Sequence, residues 1–127
     1  MIHKLHPIIK LILFVNILLL NFVFICSKDY YVDTQNPIAS DANPGTKELP
    51  LKTIIGARDI IRIYKADNGG LNTAINVWLR AGTYLLTDTI AFTAADSGTS
   101  SYTISYQAYP GEKVIVKFRR NNQMMSS

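Results

Sequence analysis

Asp29, Asp33 and Asp41 could be read as calcium ligands, because calcium needs several oxygens converging on it. Their spacing fits no ligand loop. Asp41, just ahead of Asn43-Pro44-Gly45, reads more simply as a turn residue whose carboxylate bonds its own neighbouring backbone. Asp88, Asp96 and Glu112 are the carboxylates of the later, strand-like region. Glycoside hydrolysis needs two carboxyl groups facing each other across a sugar, and no spacing here puts two of them on one face. Asp96 and Glu112 fall in turns, and all three read as solvated loop residues. No catalytic residue, metal site or cofactor follows from these groups.

Arg80 and the aromatics offer binding rather than catalysis. The planar fork of Arg80 fits a carboxylate, so it could clamp a sugar acid; pairing with a nearby acid of the chain is its more ordinary role. Trp78, Tyr84, Tyr102, Tyr106 and Tyr109 could form a stacking platform for sugar rings. Tyr106 shares the parity of Ile104, so core or rim packing suits most of them. Trp78 points opposite to Val77 and Leu79. Trp78 and Arg80 are therefore the candidate carbohydrate-binding residues.

Short strands must position these side chains. Ile75, Val77 and Leu79 alternate with Asn76, Trp78 and Arg80; Ile90 and Phe92 alternate with Thr89, Ala91 and Thr93. The same two-residue period runs through Thr103–Ala108 and Lys113–Phe118, and it predicts strands with one face buried. Tyr30-Tyr31-Val32 reads as an earlier strand. A polar segment from Asp33 to Pro50 follows, long for a loop and expected to wrap a surface. One helix is predicted from about Ile54 to Lys65, with Thr53 as N-cap and Ile54, Ala57, Ile61 and Tyr64 as its apolar stripe. Gly56 in its first turn is a cost relative to alanine. Strands of this length fit an antiparallel sandwich or a solenoid. The single early helix favours the solenoid, whose open end needs a cover.

Met1–Ser27 has the plan of an export signal: Lys4 and Lys10, then an apolar run from Leu11 to Ile25. An uncleaved membrane anchor, or acylation at Cys26, are the other readings of the same residues. Either way the protein is expected to be exported, touching a membrane only through this segment. A chain beginning at Lys28 has no Cys or His, since His3, His6 and Cys26 lie upstream. That excludes disulfides, Cys or His nucleophiles, and nitrogen- or thiolate-rich metal sites. The formal charge of +4 also dissolves on inspection. Lys28–Val116 carries eight basic and nine acidic side chains, so the basic stripe of a nucleic-acid binder is missing.

Tyr30–Val116 resembles the N-terminal start of right-handed parallel β-helix proteins of the pectate-lyase-like superfamily. The residues that carry the resemblance are Asn43-Pro44-Gly45-Thr46, then Pro50 and Thr53-Ile54 leading to Ala57-Arg58, Leu79-Arg80-Ala81-Gly82-Thr83-Tyr84, Asp96-Ser97-Gly98-Thr99, and Ala108-Tyr109-Pro110-Gly111-Glu112. The resemblance implies an all-β fold with one N-terminal capping helix, a first coil begun at Ile75–Tyr84, and an exported protein acting on polysaccharide. Members include polysaccharide lyases, often using calcium, and glycoside hydrolases, with catalytic residues usually on later coils. After Val116 the sequence turns into a polar tail, 117–127, expected to be disordered. A solenoid needs about three stacked repeats. The reading is a truncated leading portion, not catalytic alone, with a non-catalytic carbohydrate-binding or adhesion module, or a small β-sandwich, as alternatives.

Overall fold

The computed structural model describes residues 26–87 and 91–119. The signal or anchor reading of 1–27 falls almost wholly outside them, as do Asp88, Ile90 and the tail from 120. Five short strands and one α-helix make up the described part: β1 Lys28–Val32, α1 Ile54–Asp67, β2 Ile75–Leu79, β3 Gly82–Leu86, β4 Ile104–Ala108 and β5 Val114–Phe118. The fold is mostly β with one helix, its strands arranged in two small parallel sheets.

One sheet has the order β1-β2-β4 and the other pairs β3 with β5. Every one of these pairings is parallel and in straight register: Tyr31, Trp78 and Gln107 line up across the first sheet, and Tyr84 faces Val116 in the second. The antiparallel sandwich is therefore not what forms. Nor is there a single coil with nothing stacked on it. β2–corner–β3 and β4–corner–β5 are two successive units lying one on the other, with β1 above β2. Corner hydrogen bonds repeat the stacking: Arg80 N–H donates to Val32 O at 2.9 Å, and Tyr109 N–H to Leu79 O at 2.8 Å.

Alternation works as the two-residue period predicts where the stack is covered. Ile75 and Val77 are fully buried, and Leu79 nearly so, against Tyr30, Val32, Leu51 and Tyr84. It weakens at the last level, where Val116 is 41% and Phe118 76% exposed although both share the parity of Val114. An inward-facing side chain is buried only if another layer lies beneath it. β5 also runs through Phe118, so a structured strand extends beyond the expected boundary at Val116. The strand expected around Ile90 and Phe92 does not extend through its described part, where 91–93 have no strand pairing.

The polar segment after β1 returns to it. Tyr31 N–H donates to Gly45 O at 2.8 Å, Leu51 N–H to Tyr31 O at 2.9 Å, and Asp33 N–H to Leu51 O at 2.8 Å, so the outer edge of β1 is satisfied rather than left open. Gly45 makes this approach possible. Its φ is +76°, and a Cβ there would stand 2.9 Å from the Tyr30 ring.

Helix α1 runs two residues further than the spacing predicts, to Asp67. Thr53 caps it, accepting from Gly56 N–H at 2.9 Å, and Ile54, Ala57 and Ile61 are buried. Asp41 does not tie its own turn. Its carboxylate reaches across to the helix start, accepting from Lys52 N–H at 3.0 Å, Thr53 N–H at 2.9 Å and the Thr53 hydroxyl at 2.6 Å. This explains Gly56: a Cβ at that position would overlap the Asp41 carboxylate. Helix propensity alone favours Gly56→Ala by about 1 kcal/mol, yet the clash should reverse the sign. The variant is expected to lose about 1–3 kcal/mol, read as a lower urea midpoint at unchanged slope.

Candidate functional site

The outer face of β1-β2-β4 carries the chemistry that the inner face excludes. Near the start of the strands, Asn76 donates to the Asp29 carboxylate at 2.9 Å. One step along, Tyr31 and Trp78 sit side by side in register, both half-buried. Just past the end of β4, Tyr109 meets both. Its ring centroid lies 5.9 Å from that of Trp78, edge to face, and 6.3 Å from that of Tyr31. Two cations approach the Tyr109 ring: the Arg80 guanidinium at 4.8 Å and the Lys47 ammonium at 5.5 Å.

Arg80 links this patch to a pocket of about 420 Å³ lined by Asp33, Gln35, Asn36, Pro37, Arg80, Ala81 and Glu112. Glu112 is not a solvated loop residue. It accepts from Arg80 Nε at 2.9 Å, from Arg80 Nη2 at 2.7 Å and from Ala81 N–H at 2.8 Å, and the Arg80 hydrogen bond holds its carboxyl below the usual range. Arg80 thus clasps one corner of the stack to the next, the ordinary role weighed for it. In the pocket wall, Asp33 accepts from Gln35 and Asn36 N–H, both at 3.2 Å, and Asn36 accepts from Ile38 N–H at 3.1 Å. Gly82, at φ +146°, lets Thr34 and Gln35 pack against the corner.

The remaining candidate residues are placed elsewhere. Tyr84 is 3% exposed, a core residue, and its hydroxyl lies within hydrogen-bonding distance of Val32 O and Arg80 O. Tyr106 is half-buried with its ring edge to face with Phe92, centroids 5.8 Å apart, and Tyr102 lies in the connection before β4. Burial pushes the Tyr30, Tyr84 and Tyr106 phenols up to about 12, so each keeps its proton at neutral pH. Tyr31, Lys47, Gln35 and Asn36 are not among the candidate site residues read from the sequence. Parity could have found Tyr31, opposite to Val32; the loop residues carry no such signal.

Asp96 also departs from expectation. Its side chain is 4% exposed and accepts from Arg62 Nε and Nη2, each at 2.6 Å. Lys65 reinforces the contact by donating to Ala95 O at 2.6 Å and Ser97 O at 2.7 Å. Together they latch the connection between β3 and β4 onto α1. The Arg62 hydrogen bond holds the Asp96 carboxyl far below the usual carboxylate range. A depressed folded-state pKa contributes stability that is complete above the unfolded value of about 3.9 and lost as pH falls through the folded one. The latch should therefore hold at mild acid and open only in strong acid. Asp96→Asn should speed amide exchange across 91–103 at neutral pH while leaving β1 and β2 protected, as hydrogen exchange would show.

Among the described residues no group of three or more His, Cys, Asp or Glu side chains could hold a metal. Asp41 is committed to α1, and one oxygen of Asp33 to its own turn.

Short parallel strands in two small sheets with one helix make up the described fold, and a solved structure is similar to it. The chain is similar to a glycoside hydrolase at 24% identity and a TM-score of 0.63, over 71% of this chain and 15% of that one. It also aligns with a rhamnogalacturonan lyase at 24% identity and a TM-score of 0.44, over 72% of this chain and 21% of that one. At this identity the first likeness is one of fold, and the chain spans less than a quarter of the length of either. No family model and no curated protein matches the sequence.

Proposed function

We propose that this chain is the capped leading portion of an exported right-handed parallel β-helix protein of the carbohydrate-active type. In this reading the described region binds polysaccharide on the outer face of β1-β2-β4 and is not catalytic by itself. The observation that carries the proposal is the pair Tyr31–Trp78, half-buried and in register, beside a pocket lined with amides and carboxylates. Aromatic rings with an open apolar face suit the C–H face of a pyranose, and the adjoining polar groups suit its hydroxyls. Support for the fold comes from the repeated parallel pairings and the corner hydrogen bonds, and from the likeness to a glycoside hydrolase structure. The outward edges of β4 and β5, unpaired among the described residues, are where further coils would add. Glu112 and Asp96 are each held by an arginine, which favours binding over general acid–base work here.

Calorimetric titration of the chain with a panel of plant and microbial oligosaccharides tests the proposal. Saturable binding that Trp78→Ala weakens is the expected result, and a panel on which nothing binds would count against it. Binding is metal-independent in this proposal, so a chelator should leave the affinity unchanged; loss of binding with EDTA would require a calcium site.

A further inference from the structure

We infer that the ligand of this face is a neutral, hydroxyl-rich glycan rather than a polyuronate, an inference that rests on the carbohydrate-binding reading above. A uronate needs an available cation, and Arg80 is already committed. Its Nε and Nη2 donate to Glu112 at 2.7–3.0 Å, and its guanidinium lies 4.8 Å from the Tyr109 ring centroid. A ligand carboxylate would have to displace Glu112, which also accepts from Ala81 N–H. That exchange replaces a preformed charge pair with an equivalent one and leaves Glu112 uncompensated beside the incoming anion. Asp33, in the same wall, adds repulsion. Lys47 is engaged by Tyr109, its ammonium 5.5 Å from the ring centroid and 3.5 Å from the phenol oxygen. Taken together, Arg80 and Lys47 offset Asp33 and Glu112, and the site presents no net charge to steer an anion.

What the pocket does present is the chemistry of hydroxyl recognition. The Asn36 amide oxygen accepts from Ile38 N–H, which turns its NH2 into the donor available to a ligand. One Asp33 oxygen accepts two backbone N–H groups, and its other oxygen is an acceptor without a partner among the described residues. Gln35 adds an amide with both functions. Donors and acceptors placed together match vicinal sugar hydroxyls, each of which both gives and takes a hydrogen bond. Trp78 and Tyr31 supply the apolar surface for the ring.

Calorimetry with neutral oligosaccharides and with oligogalacturonates of equal length, each at about 0.02 M and about 0.3 M salt, separates the classes. Neutral oligomers are expected to bind at least about 10-fold tighter than the uronates, with an affinity that changes less than about twofold between the two salts. Asp33→Asn keeps an acceptor for its turn and removes the negative charge, so it should raise low-salt uronate affinity about threefold or more. Uronates binding tighter than neutral oligomers, with steep salt dependence, would overturn the inference while leaving carbohydrate binding intact. An Asp33→Asn variant with unchanged uronate affinity also overturns it. If neither class binds, the carbohydrate reading itself fails.

Discussion

Tyr84→Ala is expected to cost about 3–5 kcal/mol, the range for deleting a large buried aromatic, and to abolish cooperative unfolding if the domain sits at the low end of ordinary stabilities. Tyr84 is 3% exposed and belongs with Val32, Leu51, Val77 and Leu79 to the buried cluster of the described residues. It is the fully buried residue of β3, flanked by the outward-facing Thr83 and Leu85, with Leu86 packing partly buried against the same core. Its hydroxyl lies 2.9 Å from Val32 O and 2.8 Å from Arg80 O, two carbonyls at successive corners of the stack. A hydroxyl carries one proton and serves one of them at a time. Tyr84→Phe keeps the ring and removes this donor, so it should cost only about 1–2 kcal/mol. Urea unfolding of both variants checks the ordering. Equal losses would mean that the hydroxyl, not the ring, supports the corner.

Trp78→Ala should weaken glycan binding about 30-fold with little change in stability. Covering about 80 Å² of apolar ring surface is worth about 2 kcal/mol, which converts to that factor in the dissociation constant. The side chain is only half-buried, and its backbone is held in register between β1 and β4 whatever residue stands there. Trp78→Phe should recover most of the loss, since a smaller aromatic still offers a flat apolar face. An affinity within twofold of the parent for Trp78→Ala, with the fold intact by circular dichroism, would remove Trp78 from the site.

Local signals in the sequence led to the right local structures. Parity at Ile75–Leu79 separates the buried Val77 from the outward Trp78, and Thr53 caps α1 as its hydroxyl and position imply. The resemblance anticipated a mostly β fold with one helix, although it led to one level of stacking where two follow β1. Long-range electrostatics was not legible. Arg80 and Glu112 are 32 residues apart, and Arg62 and Asp96 34 apart, so both carboxylates looked like solvated turn residues when read alone. Asp41 was misread for the same reason, its partners being 11 and 12 residues downstream. At Phe92, in the described end of the Thr89–Thr93 alternation, the failure is the opposite one. Period two permits a strand but does not supply a neighbour to pair with, and Phe92 instead packs on Tyr106. Half of the site lies in the loop from Asp33 to Pro50, whose path is set by its return to the β1 edge rather than by any periodicity.

The sequence contains one tryptophan, so emission excited at the red edge, where the tyrosines do not absorb, reports on Trp78 alone. Titrating a neutral oligosaccharide that binds by calorimetry should shift and saturate that emission, with a midpoint equal to the calorimetric dissociation constant. Calorimetric binding that leaves the Trp78 spectrum unchanged would place the ligand elsewhere on the molecule and contradict the assignment of the outer face of β1-β2-β4 as the binding surface.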